Sequence, residues 1–178
     1  MSLICIRSRE DKVFVAAEGR ISTSNGDICA EHSEKIRKYR NGEDGYVIVG
    51  SVGECDIKDE FFKYVGHTLS FGRLEVNQTN LLSYVKKFRQ HLSDSGFDLD
   101  DVSQTFVFVT LDNVVGIQMS DAKVFTTDYE GPHNAYGNCR EYAMGCLDSN
   151  AEMEEVFKKA ARRYSSINAN VTTLVIER

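Results

Sequence analysis

Two short apolar runs open the chain, Leu3 to Ile6 and Val13 to Ala17, and both are rich in residues that favour strands. The charged stretch Arg9 to Lys12 between them suits a hairpin loop. If both strands lie in one sheet, the chain start comes close to Glu18. Ile21 to Asp27 is rich in Ser, Thr, Asn and Gly and predicts a turn. Ile28 to Ala30 predicts a short strand. Lys35 to Tyr39 alternates polar and apolar, as an edge or half-buried strand does. Asn41 to Gly45 reads as a turn, and Tyr46 to Ser51 as an apolar strand carrying Gly50.

The period then changes to that of helices. One helix is predicted from about Glu54 to Leu69, with Ile57, Phe61, Tyr64 and Val65 on one face. A second starts after Asn77 or Thr79 as N-cap, and Leu81, Leu82, Val85, Phe88 and Leu92 form its apolar stripe. Strands return at Thr105 to Thr110, Val114 to Met119 and Lys123 to Thr127, with Asp112-Asn113 as a turn. Two more helices are predicted near Cys139 to Asp148 and Ala151 to Tyr164. The last has Asn150 as its N-cap and a stripe of Met153, Val156, Phe157, Ala160 and Tyr164. Val171 to Glu177 closes the chain as a strand. Strands, two helices, strands, two helices, strand is the order of an α/β (α+β) fold. It suits a four-layer α/β/β/α sandwich of two packed sheets, each with a helical layer outside it.

Length and composition narrow this picture. The chain has 178 residues, which favours one domain over 1–178 with a core large enough to need no disulfide or metal. The net charge of −6 argues against a general nucleic-acid binder. No apolar run is long enough for a transmembrane helix, so no membrane association is predicted. The five cysteines are odd in number and lack a Cys-x-x-Cys spacing, and no secretory signal precedes them. That pattern fits free thiols in a reducing cytoplasm. The four histidines show no metal-ligand spacing, so no metal and no cofactor are predicted.

The candidate chemistry lies at the chain start. Removal of Met1 would leave Ser2 with a hydroxyl and a free α-amine on one residue. That pair is the minimum for an N-terminal nucleophile, with the amine taking the proton as the hydroxyl attacks. An α-amine titrates near 7.7–8.0, a usable range for a base at neutral pH. On these residues alone, Met-Ser is also simply a common start and the two strands simply core.

Taken together, several pieces resemble the proteasome family, most of all its β-type subunits and the HslV-type peptidase. They are the apolar strand beginning at residue 2, Asp11 to Arg20, Glu34-Lys35-Ile36-Arg37, and Val47 to Glu54 leading into a helix. The last is Tyr136-Gly137-Asn138-Cys139 leading into the helix that follows. The resemblance covers nearly the whole chain and implies the Ntn-hydrolase type of the four-layer sandwich, with two antiparallel sheets. It implies self-association into homo-oligomeric rings, usually two stacked, a possible ATPase unfoldase ring as partner, and unfolded polypeptide as substrate. The chain has no Gly-x-x-x-x-Gly-Lys-Ser/Thr loop of its own, so any ATP use falls to a partner.

By the same resemblance, Ser2 stands where the family has its catalytic Thr, Glu18 at the acidic partner of the active-site lysine, and Lys35 at that lysine. Gly50 stands where a backbone N–H forms the oxyanion hole, and Asn138 where the family has a turn serine. Without the resemblance, Lys35 is an edge-strand lysine, Glu18 a turn residue, Gly50 a bend and Asn138 a helix cap. The chain departs from the family at Asn138, at Cys139, and near the end. There Tyr164 and Ile167 stand at an Asp and a hydroxyl residue that help to position the terminal amine, unless Ser165 or Ser166 substitutes. The implied activity is an N-terminal-nucleophile, threonine-type endopeptidase. The alternative is a catalytically inactive ring subunit with a structural or assembly role.

Overall fold

The computed structural model describes residues 2–22, 27–43, 45–121, 123–127 and 131–178. Met1, most of the turn predicted after Ile21, and Asp44 of the turn at 41–45 lie outside them. In chain order come strands β1 (Leu3–Ser8), β2 (Lys12–Glu18), β3 (Ile21–Ser22), β4 (Ile28–Ala30), β5 (Ile36–Arg40) and β6 (Tyr46–Val52). Helices α1 (Cys55–Phe71) and α2 (Gln78–Asp94) follow. Then come β7 (Ser103–Val109), β8 (Val114–Ser120), β9 (Val124–Thr126) and β10 (His133–Gly137), α3 (Arg140–Asp148), α4 (Met153–Arg163) and β11 (Val171–Glu177). The chain divides into two compact units, Met1–Arg37 with Tyr129–Arg178, and Lys38–Asp128.

The first unit holds a four-stranded antiparallel sheet in the order β10-β1-β2-β11, with β3 and β4 as a separate two-stranded ribbon. The predicted hairpin is present, with Ile4 opposite Ala17 and Ser8 opposite Val13. Leu3 and Cys5 point to one face of β1, where they pack with Ala143 and Leu147 of α3 and Val156, Phe157 and Ala160 of α4. The predicted stripe of α4 is therefore the buried one, and burial of such side chains is worth roughly 1.5–3 kcal/mol each. Acidic Glu154 and Glu155 in its first turn and Arg162 and Arg163 in its last complement the helix dipole.

Two sequence expectations are corrected here. Asn150 does not cap α4. It sits at φ 58°, a left-handed conformation that Asn tolerates, and its N–H closes the end of α3 on the Leu147 carbonyl at 2.9 Å. The cap position of α4 belongs to Glu152. The stretch Ile21 to Asp27 is also not turn throughout, because Ile21–Ser22 pairs with β4.

The second unit holds a five-stranded sheet, β5-β6-β7-β8-β9. Phe61 of α1 is the centre of its core. Its ring stacks on Phe106 of β7 at 3.8 Å and meets Phe88 of α2 edge-on at 4.9 Å. The stripes predicted for α1 and α2 are buried at Ile57, Phe61, Val65, Leu81, Val85, Phe88 and Leu92. Asn77 caps α2, its side chain accepting the Asn80 N–H at 2.9 Å. The β6–α1 corner is held by Gln104, which is fully buried. It donates to Ser51 Oγ at 2.6 Å and accepts the Glu54 N–H at 2.6 Å, taking up an orphan donor at the helix start. Each unit thus joins one main sheet to two helices, an α+β arrangement.

Candidate active site

Strand register sets the geometry. β1 runs antiparallel to both its neighbours, with Leu3 opposite Gly137 of β10 and Ile4 opposite Ala17 of β2. Ser2, Asn138 and Glu18 therefore lie at the same end of the sheet, and the Asn138 N–H donates to the Ser2 carbonyl at 3.2 Å. β11 starts at this end too, with Val171 opposite Glu18. Gly137 has φ +114°, and a Cβ built on it would lie 1.8 Å from the Ser2 carbonyl oxygen. Only glycine lets β10 come this close to the residue that carries the candidate nucleophile.

Glu18 is fully buried and receives three donors. The Leu3 N–H and the Lys35 ammonium reach Oε1, the first at 3.3 Å, and the Arg20 N–H reaches Oε2 at 2.7 Å. Lys35 is 4% exposed and also donates to the Arg20 carbonyl. A buried lysine and a buried glutamate in direct contact form an ion pair whose charges are matched and hydrogen-bonded. Such a pair is sustained only when its geometry is good. The structure thus brings Glu18 and Lys35 together one residue from Ser2. Ser2 itself is buried. Gly50 belongs to the second unit, buried in β6 opposite Val107.

Asn138 is exposed, and α3 is capped at Cys139 without a side-chain hydrogen bond. Cys139 is buried, and its thiol is pushed up to about 11 by that burial, with the negative charge of Glu18 adding to the effect. It is therefore a neutral thiol at physiological pH. A pocket of about 440 Å³ opens beside Asn138, lined among others by Gly137, Arg140, Tyr142 and Tyr164. Tyr164 packs edge-on against Tyr142 at 5.9 Å, and Ile167 is buried in the core of the first unit.

Three residues without an assigned role in the sequence reading join this cluster. The Arg20 guanidinium grips Glu31 with two nitrogens, Nη2 at 3.0 Å and Nε at 3.3 Å, and donates to the Ser165 carbonyl. Asn168, 5% exposed, donates to the Glu31 carboxylate at 2.7 Å and to the Glu31 carbonyl at 2.9 Å. Asn168 and Arg20 together hold the Glu31 carboxyl below its ordinary range. Arg20 had a visible signal in its place directly after Glu18-Gly19. Glu31 and Asn168 had none, because the bonds that join them to each other and to Gly19 span 137 to 149 positions in sequence.

Comparison with solved structures decides the fold. BPH of Thiobacillus denitrificans, solved in complex with epoxomicin, superposes with a TM-score of 0.75 at 16% identity, covering 98% of each chain. HslV of Trypanosoma brucei gives 0.62 at 13% identity over 99% of each. The fold is the proteasome/HslV-type Ntn fold. Anbu of Pseudomonas aeruginosa, solved as a helical assembly, shares this Ntn fold with a TM-score of 0.71 at 15% identity, over 99% of this chain and 81% of that one. No family model and no curated protein matches the sequence. Among the described residues of this Ntn-fold chain, no helix is long and apolar enough to cross a membrane, and no group of His, Cys, Asp or Glu is arranged to hold a metal.

Proposed function

We propose that the chain is a proteasome-like peptidase subunit that uses Ser2 as an N-terminal nucleophile on unfolded polypeptide, within an assembly of its own copies. The observation that carries this reading is the buried Lys35–Glu18 ion pair, held one residue from Ser2 by the Leu3 N–H. After removal of Met1, the Ser2 amine takes the hydroxyl proton as the oxygen attacks a peptide carbonyl. The Ser2 amine passes that proton to the departing peptide amine as the C–N bond breaks, and water then hydrolyses the Ser2 acyl-enzyme, releasing the second product and restoring the hydroxyl. Lys35 keeps a positive charge nearby, which lowers the affinity of the amine and hydroxyl for protons, and Glu18 fixes where that charge sits. Serine lacks the methyl that restricts the χ1 of threonine, so the strand neighbours carry more of the positioning.

A second reading, an inactive subunit with an assembly role, is favoured by one observation. Ile167 is buried in the apolar core and offers no polar group to a terminal amine, and Tyr164, packed on Tyr142, has a phenol in place of a carboxylate. The two readings separate in one experiment, the intact mass of the purified protein before and after epoxomicin, the compound bound in the T. denitrificans complex. Loss of Met1 and one adduct that disappears in Ser2→Ala is the expected result. A retained Met1 and no adduct refutes catalysis by Ser2. Size-exclusion chromatography with light scattering tests self-assembly, and a monomer at micromolar concentration counts against it.

A further inference from the structure

We infer that Glu31 and Asn168 are positioning residues of the Ser2 site, acting through Arg20 on the Lys35 ammonium. The inference rests on the functional reading above. Lys35 donates to two oxygens of the Glu18–Arg20 segment, the Glu18 carboxylate and the Arg20 carbonyl. The position of Arg20 therefore helps to decide the position of the ammonium. Its backbone N–H is tied to Glu18, while its guanidinium is tied to Glu31.

Asn168 ties that arrangement to the chain end. An asparagine offers two donor hydrogens and an acceptor oxygen with two lone pairs. Here all are used. The amide nitrogen donates twice to Glu31, and Oδ1 accepts the Gly19 N–H at 3.3 Å and the Asn170 N–H at 3.2 Å. The Gly19 N–H is also held by the Asn170 carbonyl at 3.0 Å, and the Gly19 carbonyl accepts the Ser33 N–H at 2.8 Å. A Cβ on Gly19 would lie 2.9 Å from the Glu31 carbonyl oxygen, so the two segments touch backbone to backbone. One buried, fully bonded side chain thus joins residue 19, the Glu31 turn and the stretch before β11. A network satisfied at every atom holds one geometry, which a catalytic group needs. The neighbouring Ile167 is apolar and buried, so Asn168 supplies the side-chain link from this stretch to residues 19 and 31.

The test measures the second-order rate of epoxomicin adduct formation against pH in the wild type, Glu31→Gln, Asn168→Asp and, as a control in the α4 core, Val156→Ala. Among the described residues, the charged and titratable groups about Lys35 include Glu18 and, through it and Arg20, Glu31 and the Cys139 thiol. Glu31→Gln removes the charge that holds Arg20. Asn168→Asp removes both donors to Glu31 and sets a second carboxylate against it. The Glu31 side chain is 42% exposed, so its variant is expected to fold. With the ammonium less firmly placed, labelling is expected to slow by about 10-fold or more. Its pH midpoint is expected to rise by about 0.5 unit or more, because a like charge nearby had been lowering the pKa of the amine. Val156→Ala is expected to lower stability and leave the midpoint in place. A labelled wild type whose midpoint and rate are matched by Glu31→Gln and Asn168→Asp overturns the inference alone, as does an equal shift in Val156→Ala. A wild type that takes no adduct overturns the functional reading and the inference with it.

Discussion

Gly137→Ala puts the register argument at risk most directly. The added Cβ would lie 1.8 Å from the Ser2 carbonyl oxygen, and real contacts of this kind do not fall below 3.0 Å. Ser2 or the β10 backbone must therefore retreat by about 1.2 Å. The neighbouring Leu3 Cα, 3.3 Å from the same point, limits the directions open to that movement. A side chain at φ +114° also costs about 1–3 kcal/mol in backbone strain. For a chain of this size that predicts a fall in melting temperature of roughly 2–12 °C. A displacement of about 1 Å at a reacting group can cost on the order of 100-fold in rate. Gly137→Ala is thus expected to remain folded, melt a few degrees lower, and form the epoxomicin adduct about 100-fold more slowly. Circular dichroism melts and timed intact-mass measurements on one preparation report both quantities. A folded Gly137→Ala that labels at the wild-type rate would refute the claim that β10 sets the position of Ser2.

Three further outcomes are expected. Glu18→Gln leaves the Lys35 ammonium buried without its carboxylate and should cost about 3–5 kcal/mol in urea unfolding. The pair Glu18→Gln with Lys35→Met should recover much of that stability yet take no adduct, and a double variant no more stable than the single would contradict the ion-pair argument. Iodoacetamide at pH 8 should modify exposed Cys29 and spare Cys139, whose thiol is buried and raised to about 11; peptide mapping that finds Cys139 modified first would refute this. Glu31 has its carboxyl lowered on folding, so its share of stability is present above the ordinary glutamate value of about 4.3 and is lost as pH falls through the lowered folded value. The gap in melting temperature between wild type and Glu31→Gln should therefore narrow as pH falls below about 4.3, and a constant gap would show that the charge of Glu31 is not what Arg20 and Asn168 hold.

Local pattern carried most of the elements. Ile57, Phe61 and Val65, and Val85, Phe88 and Leu92, recur at helical spacing because each helix must turn one face to its sheet, and those faces are the buried ones. The β1–β2 hairpin was legible because its two strands are adjacent in sequence and its loop is short. Asn77 was legible as a cap because capping is a bond between residues three apart.

β10 was not legible as a strand. His133-Asn134-Ala135-Tyr136-Gly137 has no apolar run, and it is a strand because β1, about 130 residues earlier, offers it a free edge. Asn150 was misassigned for a related reason, since cap chemistry and tolerance of a left-handed backbone belong to the same residue type and only the path of the chain chooses between them. Gln104, Glu31 and Asn168 share the same difficulty. Each is a polar residue with at least one partner 50 to 149 positions away, and hydrogen bonds across such separations leave no periodic trace.

The sequence by itself determined the four helices, most of the strands and the helix faces that are buried, and the residue types at Ser2, Glu18 and Lys35 that mark the family resemblance. Tertiary structure alone decided that Glu18 and Lys35 are a buried pair, that β10 passes so close to Ser2 that only glycine fits, and that Asn168 bonds to both Gly19 and Glu31. The division follows from range. Amphipathic periodicity is written into neighbouring residues, whereas the partner of a buried charge or amide is fixed only when distant segments meet and exclude water.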